Sequence, residues 1–63
     1  MNEFLKNFSC VDVIIAKGLS TYIECNVEIE RALPMLDGLR VERIDIYLDD
    51  GNENVVVYAE DLQ

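Results

Sequence analysis

The chain has no histidine, no tryptophan, one proline and two cysteines, and five basic residues stand against 13 acidic ones in its 63 positions. Each scarcity excludes something. Without histidine there is no Ser-His or Cys-His nucleophile, and the commonest zinc ligand is missing. A formal net charge of −8 leaves nothing to grip a phosphate backbone, which needs clustered Lys and Arg, so direct nucleic-acid binding is not expected. Uninterrupted apolar runs such as Val13-Ile14-Ile15-Ala16 are far short of the roughly 18 residues of a spanning helix. The opening residues do not read as a signal peptide, since Glu3 precedes Lys6 and polar Asn7 and Ser9 follow. The expectation is a cytoplasmic chain with no membrane partner and with Cys10 and Cys25 as free thiols.

What is present is an apolar half, 51% of residues, arranged in patterns that argue against disorder. The length fits one domain over residues 1–63. A chain this short buries only about 60% of its unfolded surface, so its stability is expected to be marginal. Charge is unevenly spread: residues 44–63 carry Asp45, Asp49, Asp50, Glu53, Glu60 and Asp61 and no base.

Residues 1–17 read as an amphipathic helix. At a period near 3.6, Phe4, Phe8, Val11 and Ile15 share a stripe, with Gly18 available to end the helix in the left-handed region. The β-branched Val11, Val13, Ile14 and Ile15 argue for a hairpin turning at Lys17-Gly18 instead. From Thr21 to Glu30 the chain alternates, placing Ile23, Cys25, Val27 and Ile29 on one face and Tyr22, Glu24, Asn26, Glu28 and Glu30 on the other. Pro34 and Gly38 mark residues 32–38 as a loop or a single helical turn. A second hairpin follows, with Ile44, Ile46 and Leu48 opposed to Ala59, Val57 and Val55 across a four-residue turn at Asp50-Gly51-Asn52-Glu53. A two-residue Asp50-Gly51 turn would pair Leu48 with Glu53. The expected fold is α+β: one N-terminal helix packed on a three-stranded antiparallel sheet, αβββ. The alternative is ββαββ, in which Val11–Cys25 forms a hairpin and Val27–Leu36 a helix capped by Asn26.

In the αβββ reading one sheet face stays bare, and it gathers all three tyrosines with six acids. The expected partner-binding residues are Tyr22, Glu24, Glu28, Asp45, Tyr47, Tyr58 and Glu60, extended by the acidic tip at Asp49, Asp50 and Glu53. Tyrosine brings rigid area with a polar end, which suits an interface, although acids and tyrosines also occur on plainly solvated strands. Other chemistry is weakly supported. Asp50, Asn52, Asn54 and Asp61 match positions of a calcium loop, but Val55 stands where that loop needs glycine. Asp49, Asp50 and Glu53 lie at a wet hairpin tip that holds no raised pKa for acid–base work. The glycines are isolated and form no phosphate-binding loop. No cofactor, metal site or enzyme activity is expected.

In size and charge the chain resembles in type the small inhibitors that bacteriophages encode against host nucleic-acid enzymes, anti-CRISPR proteins among them; no motif carries that likeness. It implies a viral, nucleic-acid-mimicking inhibitor whose carboxylates occupy a basic, nucleic-acid-binding surface of a host protein. The alternative is a self-associating structural or regulatory subunit. In a homodimer, stacking two acidic faces is costly, whereas pairing through an edge strand or a helix is not.

Overall fold

The computed structural model describes residues 3–63. A short 3-10 turn (Glu3–Asn7) leads into β1 (Cys10–Lys17) and β2 (Ser20–Glu28), then α1 (Ile29–Leu36), then β3 (Arg40–Asp49) and β4 (Asn52–Glu60). The strands form one mixed sheet in the order β2-β1-β4-β3. Each hairpin is antiparallel, and β1 runs parallel to β4. A helical crossover is what a parallel neighbour requires, and α1 supplies it.

This corrects the expected three-stranded antiparallel sheet under an N-terminal helix. Residues 1–2 of the expected helix lie outside the described residues, and residues 3–17 are not a long helix: after the 3-10 turn, residues 10–17 are a strand. Val11 and Ile15 satisfy a helical stripe and a strand face equally well, and only Val13 between them favours the strand period. The β-branched side chains decide it, because they lose rotamer freedom in a helix and pack well in the middle of a sheet. Gly18, at φ 59, closes the β1–β2 hairpin rather than capping a helix. Two hairpins around one helix is the order of the ββαββ alternative, but α1 starts at Ile29, and its N-cap is Glu28, which makes no side-chain capping bond.

Residues 32–36, expected as a loop or a single turn, are helical. Ile29, Ala32, Leu33 and Leu36 recur at i, i+3, i+4 and i+7, one face of a helix, and Ala32 and Leu36 are fully buried. Pro34 removes one helical hydrogen bond. It stands two residues before the helix ends, so the helix is already finishing where the bond is lost. The chain then leaves through hydrogen bonds from Asp37 N to Pro34 O (3.3 Å) and from Leu39 N to Leu36 O (3.0 Å).

The core is Leu5, Val11, Val13, Val27, Ala32, Leu36, Val55, Val57 and Ala59. Leu5 brings the 3-10 turn onto the same face as α1, and Ile29 N–H donates to Ser9 O at 2.9 Å, tying the link between that turn and β1 to the helix start. Among the described residues no second layer covers the opposite face.

Two further corrections concern register. The β3–β4 turn has two residues, with Asp49 opposite Asn52, Leu48 opposite Glu53 and Ile46 opposite Val55. Asp50 (φ 51) and Gly51 (φ 78) both take positive φ, the requirement of the tight turn that matches strand twist. Pairing Leu48 with Glu53 costs little because that end of the hairpin projects beyond the core. The second correction is in β2. Val11 pairs with Val27 but Val13 pairs with Glu24, so Cys25 and Asn26 together oppose Asp12 as a bulge. Side chains before the bulge therefore point opposite to the expected direction. Ile23, Cys25, Ile46 and Leu48, expected in the core, are exposed for these reasons.

Candidate protein-binding surface

The bulge is built from two residues with local reasons to sit there. Asn tolerates the left-handed region better than most residues, and Asn26 occupies it at φ 55. Its backbone N–H, turned out of the ladder, donates to Asp12 Oδ1 at 2.8 Å. Asp12 and Asn26 thus fix one another, and the side chains of β2 change faces between Val27 and Glu24.

As a result the expected surface is divided. Asp45, Tyr47, Asp49, Tyr58 and Glu60 lie on the face away from α1, as does Glu28 beyond the bulge. Tyr22 and Glu24 lie on the α1 side, and so does Glu53. Asp50 is in the turn. The three tyrosines do not share a face. What replaces Tyr22 on the open face is apolar: Ile23 pairs with Ile14, which pairs with Tyr58, and Val56 adjoins them.

Each half has its own polar network. On the α1 side, Arg31 Nη1 lies 2.7 Å from Glu24 Oε2, and the Tyr22 hydroxyl donates to the same carboxylate. The Arg31 hydrogen bond, followed by that of Tyr22, holds Glu24 below the usual carboxylate range. The bond to Glu24 in turn raises the Tyr22 phenol. On the open face, Arg43 stacks over the Tyr58 ring at 4.1 Å and places Nε 3.0 Å from Asp45 Oδ2. Tyr47 OH donates to that same oxygen at 3.2 Å. Neighbouring Tyr58, with Asp45 behind it, pushes the Tyr47 phenol up. Arg43, Asp45, Tyr47 and Tyr58 are thereby held in one arrangement on the sheet.

Every base of the chain has an acidic neighbour: Lys6 with Glu3, Lys17 with Asp61, Arg31 with Glu24, Arg40 with Glu42 and Glu60, and Arg43 with Asp45. The pairings bring the start of β1, the end of β2 and the β3–β4 turn to one end of the sheet. Asp12, Glu28, Asp49, Asp50 and Glu53 all stand at that end, and none has an ion-pair partner among the described residues. A shallow cleft of about 250 Å³ opens there between Phe8, Asp12, Asn26 and Glu53.

Two features were missed from sequence, Asp12 and the apolar row Ile14-Ile23-Val56. An asparagine inside an alternating strand is the signal for the first, since it marks a residue ready for positive φ. Among the described residues no three His, Cys, Asp or Glu side chains gather as a metal site, and no helix is long and apolar enough to cross a membrane. Cys10 and Cys25 are exposed free thiols. Compared with protein-family models, curated proteins and solved structures, the chain matches none of them.

Proposed function

We propose that this chain is a small acidic binding protein that blocks a basic, nucleic-acid-binding surface of another protein in the cytoplasm, with no chemistry of its own. One observation carries the reading: all five bases are neutralised within the chain, while five acids collect at one end of the sheet without an ion-pair partner among the described residues. A charge distribution of this kind steers a protein end-on toward a positive patch and speeds encounter. The same carboxylates repel phosphate, so the nucleic acid is displaced by the protein rather than bound by it. The Arg43-Tyr47-Tyr58 cluster adjoins the acidic end and supplies the residue types that dominate interface energies. Small acidic inhibitors of phage type share this combination of size and charge.

The test is capture from a lysate at low and high salt, followed by assay of whether the captured protein still binds nucleic acid. Glu28→Gln, Asp50→Asn and Glu53→Gln are combined in one variant, all at exposed positions. A basic partner that is released by salt, loses nucleic-acid binding and fails to bind the variant is expected. Capture indifferent to salt and to the three substitutions would overturn the reading.

A further inference from the structure

The sheet has two edges, and they differ. The outer edge of β2 is interrupted by the Cys25-Asn26 bulge, a device that blunts pairing. In β3 the irregularity falls between Val41 and Arg43, leaving Arg43–Asp49 a regular edge without proline or lysine. Asp49 and Asn52 close a two-residue turn, so they exchange both backbone hydrogen bonds, and alternation gives the same inward role to Tyr47 and Asp45. The N–H and C=O groups of Ile44, Ile46 and Leu48 therefore point outward from the sheet. Their side chains lie on the α1 face, where Ile46 is 47% and Leu48 78% exposed.

The segment Arg43-Ile44-Asp45-Ile46-Tyr47-Leu48-Asp49 is complementary to itself when read antiparallel. The geometry points to a second copy of this chain as the occupant of the edge, joined about a two-fold axis at Ile46. Arg43 then faces the partner subunit's Asp49, Asp45 faces the partner subunit's Tyr47, and Ile44 faces the partner subunit's Leu48. Ile46 meets its own counterpart. The outward groups of Ile44, Ile46 and Leu48 are all satisfied across the junction, and the two half-exposed apolar rows cover each other. Shifting the axis to Asp45 sets the two Asp45 carboxylates together, and shifting it to Tyr47 sets Asp45 against Asp49, so neighbouring registers meet like charges. The result is one continuous eight-stranded sheet whose acidic ends point in opposite directions. This interface shares Asp49 with the acidic end and Arg43 and Tyr47 with the cluster beside it, but uses none of Asp12, Glu28, Asp50 and Glu53.

The experiment is the mass of the full chain in solution by sedimentation equilibrium, from low micromolar to millimolar concentration. The expected result is a concentration-dependent doubling of mass. Asp49→Lys, at an exposed position, sets two like-charged pairs across the junction and should weaken the dimer about tenfold. Adding Arg43→Glu restores an opposite pairing and should return affinity to within about threefold of the original. Ile46→Lys brings two ammonium groups to the axis and should leave only monomer, with circular dichroism confirming that the monomer stays folded. A wild-type chain that remains monomeric at millimolar concentration overturns the proposal. So does a dimer indifferent to Asp49→Lys and Ile46→Lys, since that dimer uses another surface. The acidic-end variant keeps all of these residues, so either proposal can fail without the other.

Discussion

The carboxylate of Asp12 in β1 accepts the backbone N–H of Asn26 in β2 at 2.8 Å, and this single bond spans the point where β2 reverses its faces. Asp12→Ala should destabilise the fold by about 1.5–3 kcal/mol, the range for a hydrogen bond to a charged acceptor. Asn26→Gly should be tolerated, whereas Asn26→Val forces a β-branched residue to φ 55 and should cost about 1–2 kcal/mol. Urea melts measure all three. Equal stability of the valine and glycine variants would mean that the bulge relaxes when challenged.

The core can be separated from the surface by two leucines of opposite placement. Leu36 is 1% exposed and Leu19 is fully exposed at the β1–β2 turn. Leu36→Ala should cost about 2–5 kcal/mol, and Leu19→Ser should stay within about 0.5 kcal/mol. Leu5→Ala should behave like Leu36→Ala, because the 3-10 turn belongs to the same core. Thermal or denaturant unfolding decides it.

The β3–β4 turn gives a conformational prediction. Gly51 holds φ 78 with open space around its missing side chain, so Gly51→Ala meets backbone strain alone and should cost about 1–2 kcal/mol. Asp50→Asn should be neutral or slightly stabilising, since asparagine followed by glycine is the favoured pair for this turn. A larger loss for Asp50→Asn would show that the Asp50 carboxylate has a role in the fold.

Acid titration tests the Glu24–Arg31 contact. Glu24 is held below its ordinary range when folded, so the unfolded chain binds its proton first as pH falls. The stabilisation is therefore fully present above the ordinary carboxylate range and is lost as pH drops through the lowered folded value. Wild type should melt above Glu24→Gln at neutral pH, and the two curves should converge in acid. Melting temperatures against pH provide the check; a constant gap would place the difference elsewhere.

Regular alternation makes part of this fold legible in the sequence, and the inserted residue and the distant pairing hide the rest. The β3–β4 hairpin and its faces followed from alternation alone. Its turn length did not, because alternation favours an apolar partner for Leu48, and Leu48 lies where the hairpin has outrun the core. β1 was read as helix because Val11 and Ile15 fit both periods, and only the parallel pairing with β4, a relation 44 positions apart, gives this strand its place. Pro34 makes α1 read as a turn, although the Ile29-Ala32-Leu33-Leu36 stripe marks one face of a helix. Asp45, Tyr47, Asp49, Tyr58 and Glu60 were rightly grouped on one face, since β3 and β4 are regular there. Tyr22 and Glu24 were misplaced by one inserted residue, which reverses every side chain before it.

The parallel seam between β1 and β4 also governs when the molecule can fold. Either hairpin closes locally and fast, but the core needs residues 12–16 laid against residues 56–60, the first and last strands of the chain. Such distant closure slows folding relative to local contacts. Val11 and Val13 stay without Val55 and Val57 until β4 has been synthesised, so a nascent chain that lacks β4 holds one hairpin with an unmatched apolar face. Loss of β4 would strip the middle of the sheet rather than trim an edge, and a single cut between α1 and β3 would leave β3–β4 as a bare hairpin, too small to persist alone.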